Sequence, residues 1–369
     1  MKDHSLEVHG CHTYDATGAI SPSICLSATF RHPRFGESTG YDYGRVANPT
    51  RESLEKTVAL LERGGRSWAL SSGMAAVQLV FSLLSAGDHV LMSEDLYGGT
   101  VRLAEEVFAG YGITFEYVDV RDLALVGKRM RSETKLVFIE TPSNPMMQIA
   151  DIAALSALAH ENGALLAVDN TFLSPHFQKP LTLGADIVLH SGTKYLCGHN
   201  DVIAGFLVLK DAASAEAKRI ELLAKSAGPN LSALDSWLML RSIKTLGVRV
   251  ERQAENALAI ARWLGTLPEV TEVLYPGLAD HPGYALQQKQ ASGAGGMISF
   301  KVRSAEIAKA ALGRLHLIAF AESLGGVETL LTYPIAQTHA EMPAALLKRT
   351  GLDDKLLRLS VGIEDVEDL

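Results

Sequence analysis

The chain has 369 residues, of which 47% are hydrophobic, and a formal net charge of −8 from 34 basic and 42 acidic side chains. This length exceeds the size at which a single hydrophobic core stops growing, so we expect two domains. The negative charge argues against nucleic acid or an anionic membrane as a partner.

The cysteines Cys11, Cys25 and Cys197 are odd in number and scattered, which indicates a reducing cytoplasm rather than a disulfide framework. The N-terminus lacks an apolar signal core, and no apolar run is long enough to span a bilayer, so neither secretion nor membrane insertion is expected. His9 and His12 lie close to Cys11, but no fourth ligand follows at a recognisable spacing. We therefore expect no metal site.

Residues 1 to 48 lack a helical period and are rich in Gly, Pro, Ser and aromatic residues, so we expect an extended arm rather than a domain. Tyr43 and Arg45 lie near the end of this arm. Taken alone they are ordinary loop residues, but a guanidinium fork beside a phenol also suits a phosphate group. Asn48 or Thr50 is expected to cap the helix that begins near Arg51.

From about residue 67, apolar runs alternate with helical periods. This alternation predicts a mainly parallel sheet that is covered by helices on both faces. Ligands of such sheets bind outside the carboxyl ends of the strands. The predicted strands are 68–70, 90–92, 115–118, 136–139, 165–168, 187–189 and 205–209, and the helical periods between them lie at 74–84, 100–109 and 152–161.

Two of these strand ends carry a lysine and a carboxylate. Lys194 follows the strand at 187–189, and Asp169 follows the run at 165–168. A lysine can form a Schiff base with a carbonyl, and a carboxylate can keep a pyridine nitrogen protonated so that the ring accepts electrons. Each residue alone is more often part of a loop rim. Together with polar residues at other strand ends, they indicate a pyridoxal phosphate site.

Three further strand ends carry residues that suit the same cofactor. A helix begins after the strand at 68–70, where Gly73 allows a ligand to approach closely and unpaired amides can bind phosphate. Tyr97, beside two glycines, could stack on a planar ring. Asn144, in the loop 140–145 with its two prolines, could hydrogen-bond a phenolic oxygen. Each feature by itself also fits an ordinary turn or rim residue.

The segment from 231 to 264 is long and helical, is interrupted near Gly247, and should link the large domain to a smaller α+β unit. Within that unit, 322–326 is a polar, glycine-containing loop. Arg358 lies inside a strand-like run, and it is either an edge-strand cation or a clamp for a substrate carboxylate. Strands are predicted at 269–274, 297–302 and 317–320, and helices at 304–312 and 342–348.

Ordered blocks along nearly the whole chain carry a resemblance to one family. The blocks are Ser27–Phe30, Tyr43–Arg45, Asn48–Arg51, Ser72–Met74, Tyr97–Thr100, Glu140–Pro145, Val168–Thr171, Ser191–Tyr195, Gly198–Asp201, Glu322–Gly326 and Arg358–Gly362. They resemble the Cys/Met-metabolism group of pyridoxal-phosphate (PLP) enzymes, which includes cystathionine γ-synthase, γ-lyase and β-lyase, methionine γ-lyase and the O-acylhomoserine sulfhydrylases.

The resemblance implies an α/β fold of the aspartate aminotransferase-like kind, fold type I. A large, mainly parallel sheet domain that binds PLP would occupy residues 49–245, and a small C-terminal α+β domain would occupy 246–369. The arm at 1–48 would contact the neighbouring subunit. The implied assembly is a homotetramer, built as a dimer of dimers.

The resemblance also implies a role for each candidate residue. Lys194 would form the Schiff base with pyridoxal 5'-phosphate and shuttle protons, Asp169 would pair with the pyridine nitrogen, and Tyr97 would stack on the ring and act as general acid or base. Tyr43 and Arg45 would complete the phosphate site from the neighbouring subunit. Further cofactor contacts are implied for Gly73, Met74, Asn144, Thr171, Ser191 and Thr193, and substrate contacts for Asn144, Ser323, Arg358, Glu322, Arg102 and Asp42.

The implied activity is chemistry at the γ-carbon of a homoserine-type amino acid, as in cystathionine γ-synthase or γ-lyase, with a sulfur amino acid or an O-acylhomoserine as substrate. Glu322 favours these γ-enzymes, and Arg102 and Asp42 suit the distal amino-acid head of cystathionine. Methionine γ-lyases commonly carry Cys where Gly99 stands. The alternatives are cystathionine β-lyase or methionine γ-lyase and, outside the enzymes, a regulatory binding protein of the same fold. Relatives continue into a last helix beyond the position of Leu369.

Overall fold

The computed structural model describes residues 1–11 and 17–369, and the strands in these residues form two sheets. The strands of the first sheet are β1 (Arg66–Leu70), β2 (His89–Ser93), β3 (Thr114–Val118), β4 (Thr134–Glu140), β5 (Leu165–Asp169), β6 (Ile187–Ser191) and β7 (Gly205–Leu209). Their order across the sheet is β1-β7-β6-β5-β4-β2-β3. Strand β7 runs antiparallel to both neighbours, and the remaining neighbours pair in parallel.

This first sheet confirms the mainly parallel sheet expected from the sequence, because each predicted strand lies within a strand of the structure. Strands β2 and β7 are buried along their whole length, as expected for strands covered on both faces. Along β2, Leu91 packs into one core cluster, whereas Val90 and Met92 pack into another. The two clusters lie on opposite faces because successive side chains of a strand alternate in direction.

Helices cover this sheet, and most of them occur where the sequence period indicated. They are α1 (Asp3–His9), α2 (Pro49–Leu61), α3 (Gly73–Phe81), α4 (Gly98–Leu103), α5 (Leu123–Arg129), α6 (Ile152–Glu161), α7 (Ser174–Phe177), α8 (Ala215–Ala227), α9 (Ala233–Ile243) and α10 (Leu246–Leu264). The side chain of Asn48 accepts hydrogen bonds from the backbone N–H groups of Thr50 and Arg51, which confirms Asn48 as the cap of α2.

Two expectations about helices need correction. The arm is not wholly extended, because α1 forms near its start and buries Leu6 against the main core. The long helical segment is interrupted at Lys244 and Thr245, whereas Gly247 lies inside α10. A Cβ atom at Gly247 would stand 2.6 Å from the Glu7 carboxylate, so this glycine permits α1 to pack closely rather than breaking the helix.

The second sheet has five strands, β8 (Val270–Leu274), β9 (Met297–Val302), β10 (Ala319–Phe320), β11 (Leu330–Thr332) and β12 (Leu356–Ser360), in the order β10-β11-β12-β9-β8. Helices α11 (Tyr284–Gln290), α12 (Ala305–Leu312) and α13 (Ala344–Thr350) accompany it. The predicted α+β unit is thereby confirmed, and a separate core cluster lies between this sheet and α10. Because β12 lies between β11 and β9, Arg358 is not an edge-strand residue. Among the described residues, no helix is both long and apolar enough to cross a membrane.

Candidate active site

A cavity of about 290 Å³ opens at the carboxyl ends of the large-sheet strands, facing β12 and the loop at 322–324. Polar residues from both sheets therefore meet in one place, as expected for ligands of an open α/β sheet. The predicted site residues that line the cavity are Gly73, Met74, Tyr97, Asn144, Asp169, Thr171, Ser191, Thr193, Lys194, Glu322, Ser323 and Arg358.

Lys194 lies just beyond β6, and its side chain points to the loop from the small unit. Its Nζ donates a hydrogen bond to Oγ of Ser323 at 2.9 Å. Burial, reinforced by the nearby positive charge of Arg358, lowers the pKa of Lys194 to about 8, and the carboxylate of Glu322 opposes this shift. With such a pKa, roughly a tenth of the amine is neutral at pH 7, far more than for an ordinary lysine, and nucleophilic attack on a carbonyl requires this neutral form.

Asp169 ends β5 and is the carboxylate at the deep side of the cavity. One of its oxygens, Oδ1, accepts hydrogen bonds from the backbone N–H of Thr171 at 3.0 Å and from its hydroxyl at 2.5 Å. Burial raises the pKa of Asp169, whereas these two hydrogen bonds lower it. No Lys or Arg among the described residues forms an ion pair with Asp169. A protonated ring nitrogen in the cavity would supply the missing positive partner.

The start of α3 forms the opposite end of the cavity. Ser72 caps this helix by accepting a hydrogen bond from Ala75 N–H at 3.1 Å, so the cap satisfies one of the free amides at the helix start. Gly73 lies against β6, where a Cβ atom would stand 2.9 Å from Cβ of Ser191. The glycine therefore lets backbone amides and the hydroxyls of Ser191 and Thr193 surround one small volume. Such a helix start is suited to a phosphate group.

Arg358 projects from the middle of β12 and is only 2% exposed. Its Nη1 donates to Oδ1 of Asn144 at 2.7 Å, while Nη2 lies 3.4 Å from both the Ser323 carbonyl and the Thr332 hydroxyl. The Nε atom is buried and has no hydrogen-bond partner among the described residues. Burial lowers the pKa of Arg358 to about 10 although Glu140 opposes the shift. The guanidinium remains charged at neutral pH, lines the cavity and has one donor without a partner, which suits a carboxylate.

Glu140 is a cavity residue to which the sequence reasoning gave no role. It ends β4, is 7% exposed, and accepts a hydrogen bond from the backbone N–H of Tyr97 at 3.1 Å. Burial, followed by the nearby charge of Asp169, raises the pKa of Glu140 well above its usual value. The position of Glu140 at a strand end, beside the loop that carries Asn144, could have identified it as a candidate from the sequence. Its protonation, however, depends on its distance from Asp169, which the sequence does not show.

Asp95 is a second residue that the sequence reasoning did not select. It is buried, and its Oδ2 accepts hydrogen bonds from the Ser143 hydroxyl and, at 3.1 Å, from Met146 N–H. These two bonds fix the loop on either side of Asn144. The orientation of the Asn144 side chain toward Arg358 thus depends on a carboxylate that does not line the cavity.

Four of the predicted site residues lie outside this cavity. Arg102 pairs with Glu341 at the surface and is about half exposed. Asp42 accepts a hydrogen bond from Ser38 Oγ in the exposed arm. Tyr43 and Arg45 stack on each other, with the guanidinium carbon 5.6 Å from the ring centre, and do not reach the cavity of their own chain. The roles of all four residues stay predictions, and those of Tyr43 and Arg45 depend on a neighbouring subunit.

The residues present fit PLP on chemical grounds. The cavity offers a lysine amine for the aldehyde, a half-buried carboxylate without a Lys or Arg partner for the ring nitrogen, and a helix start with small hydroxylated residues for the phosphate. The exposed ring of Tyr97 lines the same cavity. These groups would hold the cofactor between the helix start of α3 and the end of β5.

Comparisons with known proteins agree with this interpretation of the site. Cystathionine gamma-lyase of Bacillus subtilis (strain 168) is 47% identical over 370 residues, which cover 100% of this chain and 97% of that protein. Cystathionine beta-lyase MetC of the same organism is 46% identical over 357 residues, which cover 97% and 91%. The crystal structure of cystathionine gamma-lyase from Lactobacillus plantarum complexed with L-serine has a TM-score of 0.96 at 42% identity, covering 100% of this chain and 96% of that one.

Residues 4–369 match the family described as Cys/Met metabolism PLP-dependent enzyme. The two B. subtilis relatives are enzymes, so the alternative of a regulatory binding protein without catalytic activity is set aside. With the match extending over nearly every residue and relatives well above 40% identity, the chain belongs to the Cys/Met metabolism family of PLP-dependent enzymes.

Proposed function

We propose that this enzyme acts at the γ-carbon of homoserine-type amino acids, as a cystathionine γ-lyase or γ-synthase does. The observation that carries the proposal is a single cavity that contains Lys194, Glu322 and the buried guanidinium of Arg358 with its unpartnered Nε. Arg358 suits the α-carboxylate of an amino acid, and Glu322 offers a negative charge to the ammonium of a second amino-acid head. Cystathionine, a sulfur amino acid with two such heads, matches this arrangement of charges.

Substrate orientation is the first task of the proposed reaction. The α-carboxylate accepts hydrogen bonds from Arg358, whose Nη1 is held by Oδ1 of Asn144. Since Arg358 is almost fully buried, water competes poorly for the guanidinium and the resulting hydrogen bonds are strong. The α-carbon is thereby directed toward Lys194.

Proton transfer is the second task. When bound, PLP supplies an electron sink for the negative charge that develops at the substrate's α-carbon. Nζ of Lys194 accepts the α-proton, which its lowered pKa of about 8 favours near neutral pH. The Ser323 hydroxyl, 2.9 Å from Nζ, orients the amine. We assign Tyr97 as general acid or base beside the leaving group at the γ-carbon.

Departure of the γ-substituent requires loss of a further proton at the β-carbon, and two products can form afterwards. Addition of a thiol at the γ-carbon is the replacement reaction of a synthase. Hydrolysis gives 2-oxobutyrate and ammonia, which is the elimination reaction of a γ-lyase. The same cavity residues serve both routes, so access of a thiol decides between them.

Tyr43 and Arg45 enter the proposal as phosphate contacts supplied to a neighbouring copy in a homotetramer. Arg51, which is 6% exposed, donates to the carbonyls of Gly44 at 3.0 Å and of Arg45 at 3.4 Å. The segment is thus held in a defined conformation although its side chains have no cavity in their own chain. Mixing inactive Lys194→Ala and Arg45→Ala proteins should restore part of the activity, because a hybrid dimer would contain one intact site. No recovery after subunit exchange would argue against this role.

Cystathionine β-lyase is the alternative, and it has support from the 46% identity to the B. subtilis beta-lyase. Both reactions need the same lysine and carboxylate clamp, and they differ in which carbon loses its substituent. Methionine γ-lyase is less favoured. A Cβ atom at Gly99 would stand 2.5 Å from the Tyr97 ring, so the cysteine found there in methionine γ-lyases would have to displace that ring.

The deciding experiment is identification of the keto acid that purified, PLP-loaded enzyme releases from L-cystathionine. Release of 2-oxobutyrate would place cleavage at the γ-carbon, whereas pyruvate would assign β-lyase activity and refute the proposal. If neither forms, turnover of an O-acylhomoserine with cysteine would identify a synthase. Lys194→Ala is the control, and it should abolish every one of these products.

A further inference from the structure

Four side chains that are far apart in the sequence meet where α1 packs against α7 and α10. They are His4 and Glu7 on α1, His176 on α7 and Glu251 on α10. The cluster shares no residue with the catalytic cavity. It also differs from the sequence-level group His9, Cys11 and His12, of which His12 lies outside the described residues.

Glu7 is the buried anchor of the cluster, with a side chain that is 3% exposed. Its Oε1 accepts a hydrogen bond from Nδ1 of His176 at 2.7 Å, and its Oε2 accepts one from the backbone N–H of Gly247 at 3.1 Å. A carboxylate that holds the Nδ1 proton fixes the tautomer of the imidazole. The lone pair of His176 is then on Nε2, as in the carboxylate–histidine–metal arrangement of zinc sites.

Nε2 of His176 faces the carboxylate of Glu251, and so does His4. The Nε2 atoms of His176 and of His4 each lie 3.3 Å from Oε1 of Glu251. A tetrahedral zinc ion with bonds of about 2.0–2.2 Å separates its ligand atoms by roughly 3.4 Å. Ligand atoms of His4, Glu7 and His176 also lie within 4.8 Å of one another. The two 3.3 Å separations from Oε1 of Glu251 therefore match the spacing of ligand atoms in a coordination shell.

The charge of this cluster also favours a bound cation. In the described part of the chain, the only ion-pair partners of Glu7 and Glu251 are the two imidazoles, which carry no charge when neutral. Neither carboxylate forms an ion pair with a lysine or arginine of the described residues, and one of the two is buried; the charge of Arg249 acts on Glu7 only from beyond ion-pair distance. A divalent cation would balance both charges, and imidazole with carboxylate is a ligand set that Zn²⁺ accepts.

We propose that His4, His176 and Glu251 bind a divalent transition-metal ion such as Zn²⁺, with Glu7 fixing His176 from behind and water completing the shell. The ion would connect α1 to α7 and α10 and so attach the start of the chain to the large domain. Its role is structural, because no atom of the cluster lines the catalytic cavity. The proposal does not depend on the reaction that the enzyme catalyses.

The test measures Zn²⁺ binding to the PLP-loaded enzyme after removal of metals with a chelator. Equilibrium dialysis should show one tight ion per chain, and Co²⁺ in its place should give the visible bands of a low-symmetry site. His4→Gln and Glu251→Gln should each weaken Zn²⁺ binding at least tenfold. Both side chains are largely exposed, at 61% and 46%, so these variants should fold. Zn²⁺ should raise the melting temperature of the wild type more than that of either variant.

His160→Gln is the matched control. His160 also faces a carboxylate, Asp186, at 2.8 Å, but this pair lacks a second histidine. The control should bind Zn²⁺ like the wild type, and all three variants should keep normal turnover. Equal Zn²⁺ affinity in the wild type, His4→Gln and Glu251→Gln would overturn the proposal, since the ion would then bind elsewhere. Failure of the wild type to retain Zn²⁺ at micromolar concentration would overturn it as well.

Discussion

Replacement of Arg358 by lysine tests the proposed carboxylate clamp. The substitution keeps the positive charge but removes the planar fork, so Nζ of lysine cannot hold Asn144 and a substrate carboxylate with the same geometry. Arg358 donates to Asn144 at 2.7 Å and keeps Nε unpartnered. Loss of one hydrogen bond to a charged group costs about 1.5–3 kcal/mol. At 1.36 kcal/mol for each factor of ten, kcat/KM should fall roughly 10- to 150-fold.

Arg249→Lys is a matched control for this experiment. Arg249 is 4% exposed, and burial lowers its pKa to about 10, as it does for Arg358. Its guanidinium donates to the carbonyls of Tyr195 and Ser242, outside the cavity. Both variants should therefore lose similar stability in chemical denaturation, because both leave buried acceptors poorly satisfied. Only the Arg358 variant should lose apparent affinity for the amino acid.

The assay is steady-state turnover of L-cystathionine, or of whichever amino acid the keto-acid experiment identifies. A rise in KM larger than the fall in kcat is expected, because the clamp acts in the bound substrate as well as in the transition state. A change in kcat/KM of less than threefold for Arg358→Lys would refute the clamp. Equal losses in the Arg358 and Arg249 variants would also refute it, since they would show that the effect is one of stability.

Buried polar groups elsewhere in the chain give three more predictions. Burial raises the pKa of Asp95 from 3.8 to about 6, so the folded state binds this proton more tightly than the unfolded chain does. The contribution of Asp95 to stability should be fully present below about pH 4 and should fall by up to about 3 kcal/mol as the pH rises through 6. Asp95→Asn should flatten that part of the curve in urea titrations, and an unchanged curve would contradict the assignment. Glu140→Gln should keep kcat/KM within about threefold, because burial and the nearby charge of Asp169 raise the pKa of Glu140 and so favour its neutral form, and an amide oxygen can still accept the Tyr97 N–H. A hundredfold loss would show that its charge matters. Asn48→Ala should lower the free energy of unfolding by about 1–2 kcal/mol by removing the cap of α2, whereas a loss below about 0.3 kcal/mol would show that the cap contributes little.

The large sheet and most of the cavity could be predicted from the sequence for a physical reason. Strands that are buried on both faces appear as short apolar runs, so their ends can be located to within a few residues. Parallel strands bring those ends to one edge. Lys194, Asp169 and Tyr97, each placed after such a run, therefore converge without any knowledge of long-range contacts. The cap at Asn48 was likewise a local signal.

Only the tertiary structure decided how these residues act on one another. Arg358 and Asn144 are 214 positions apart and form their hydrogen bond because β12 of the small unit faces the large sheet. The raised pKa of Glu140 comes from burial and from proximity to Asp169. The helix at 3–9 forms in an arm without a clear helical period, because packing against α2 and α10 stabilises a segment too short to be helical alone.

Side-chain charge states and ligand clusters share this dependence on the fold. His4 and Glu251 carry no recognisable spacing in the sequence, yet the packing of α1 against α10 places their ligand atoms 3.3 Å apart. The sequence by itself determined which segments are strands, where they end and which chemical groups stand at those ends. The packing of distant elements decided which groups are dehydrated and which are paired, because burial and proximity, rather than residue type, set a pKa and the geometry of a binding site.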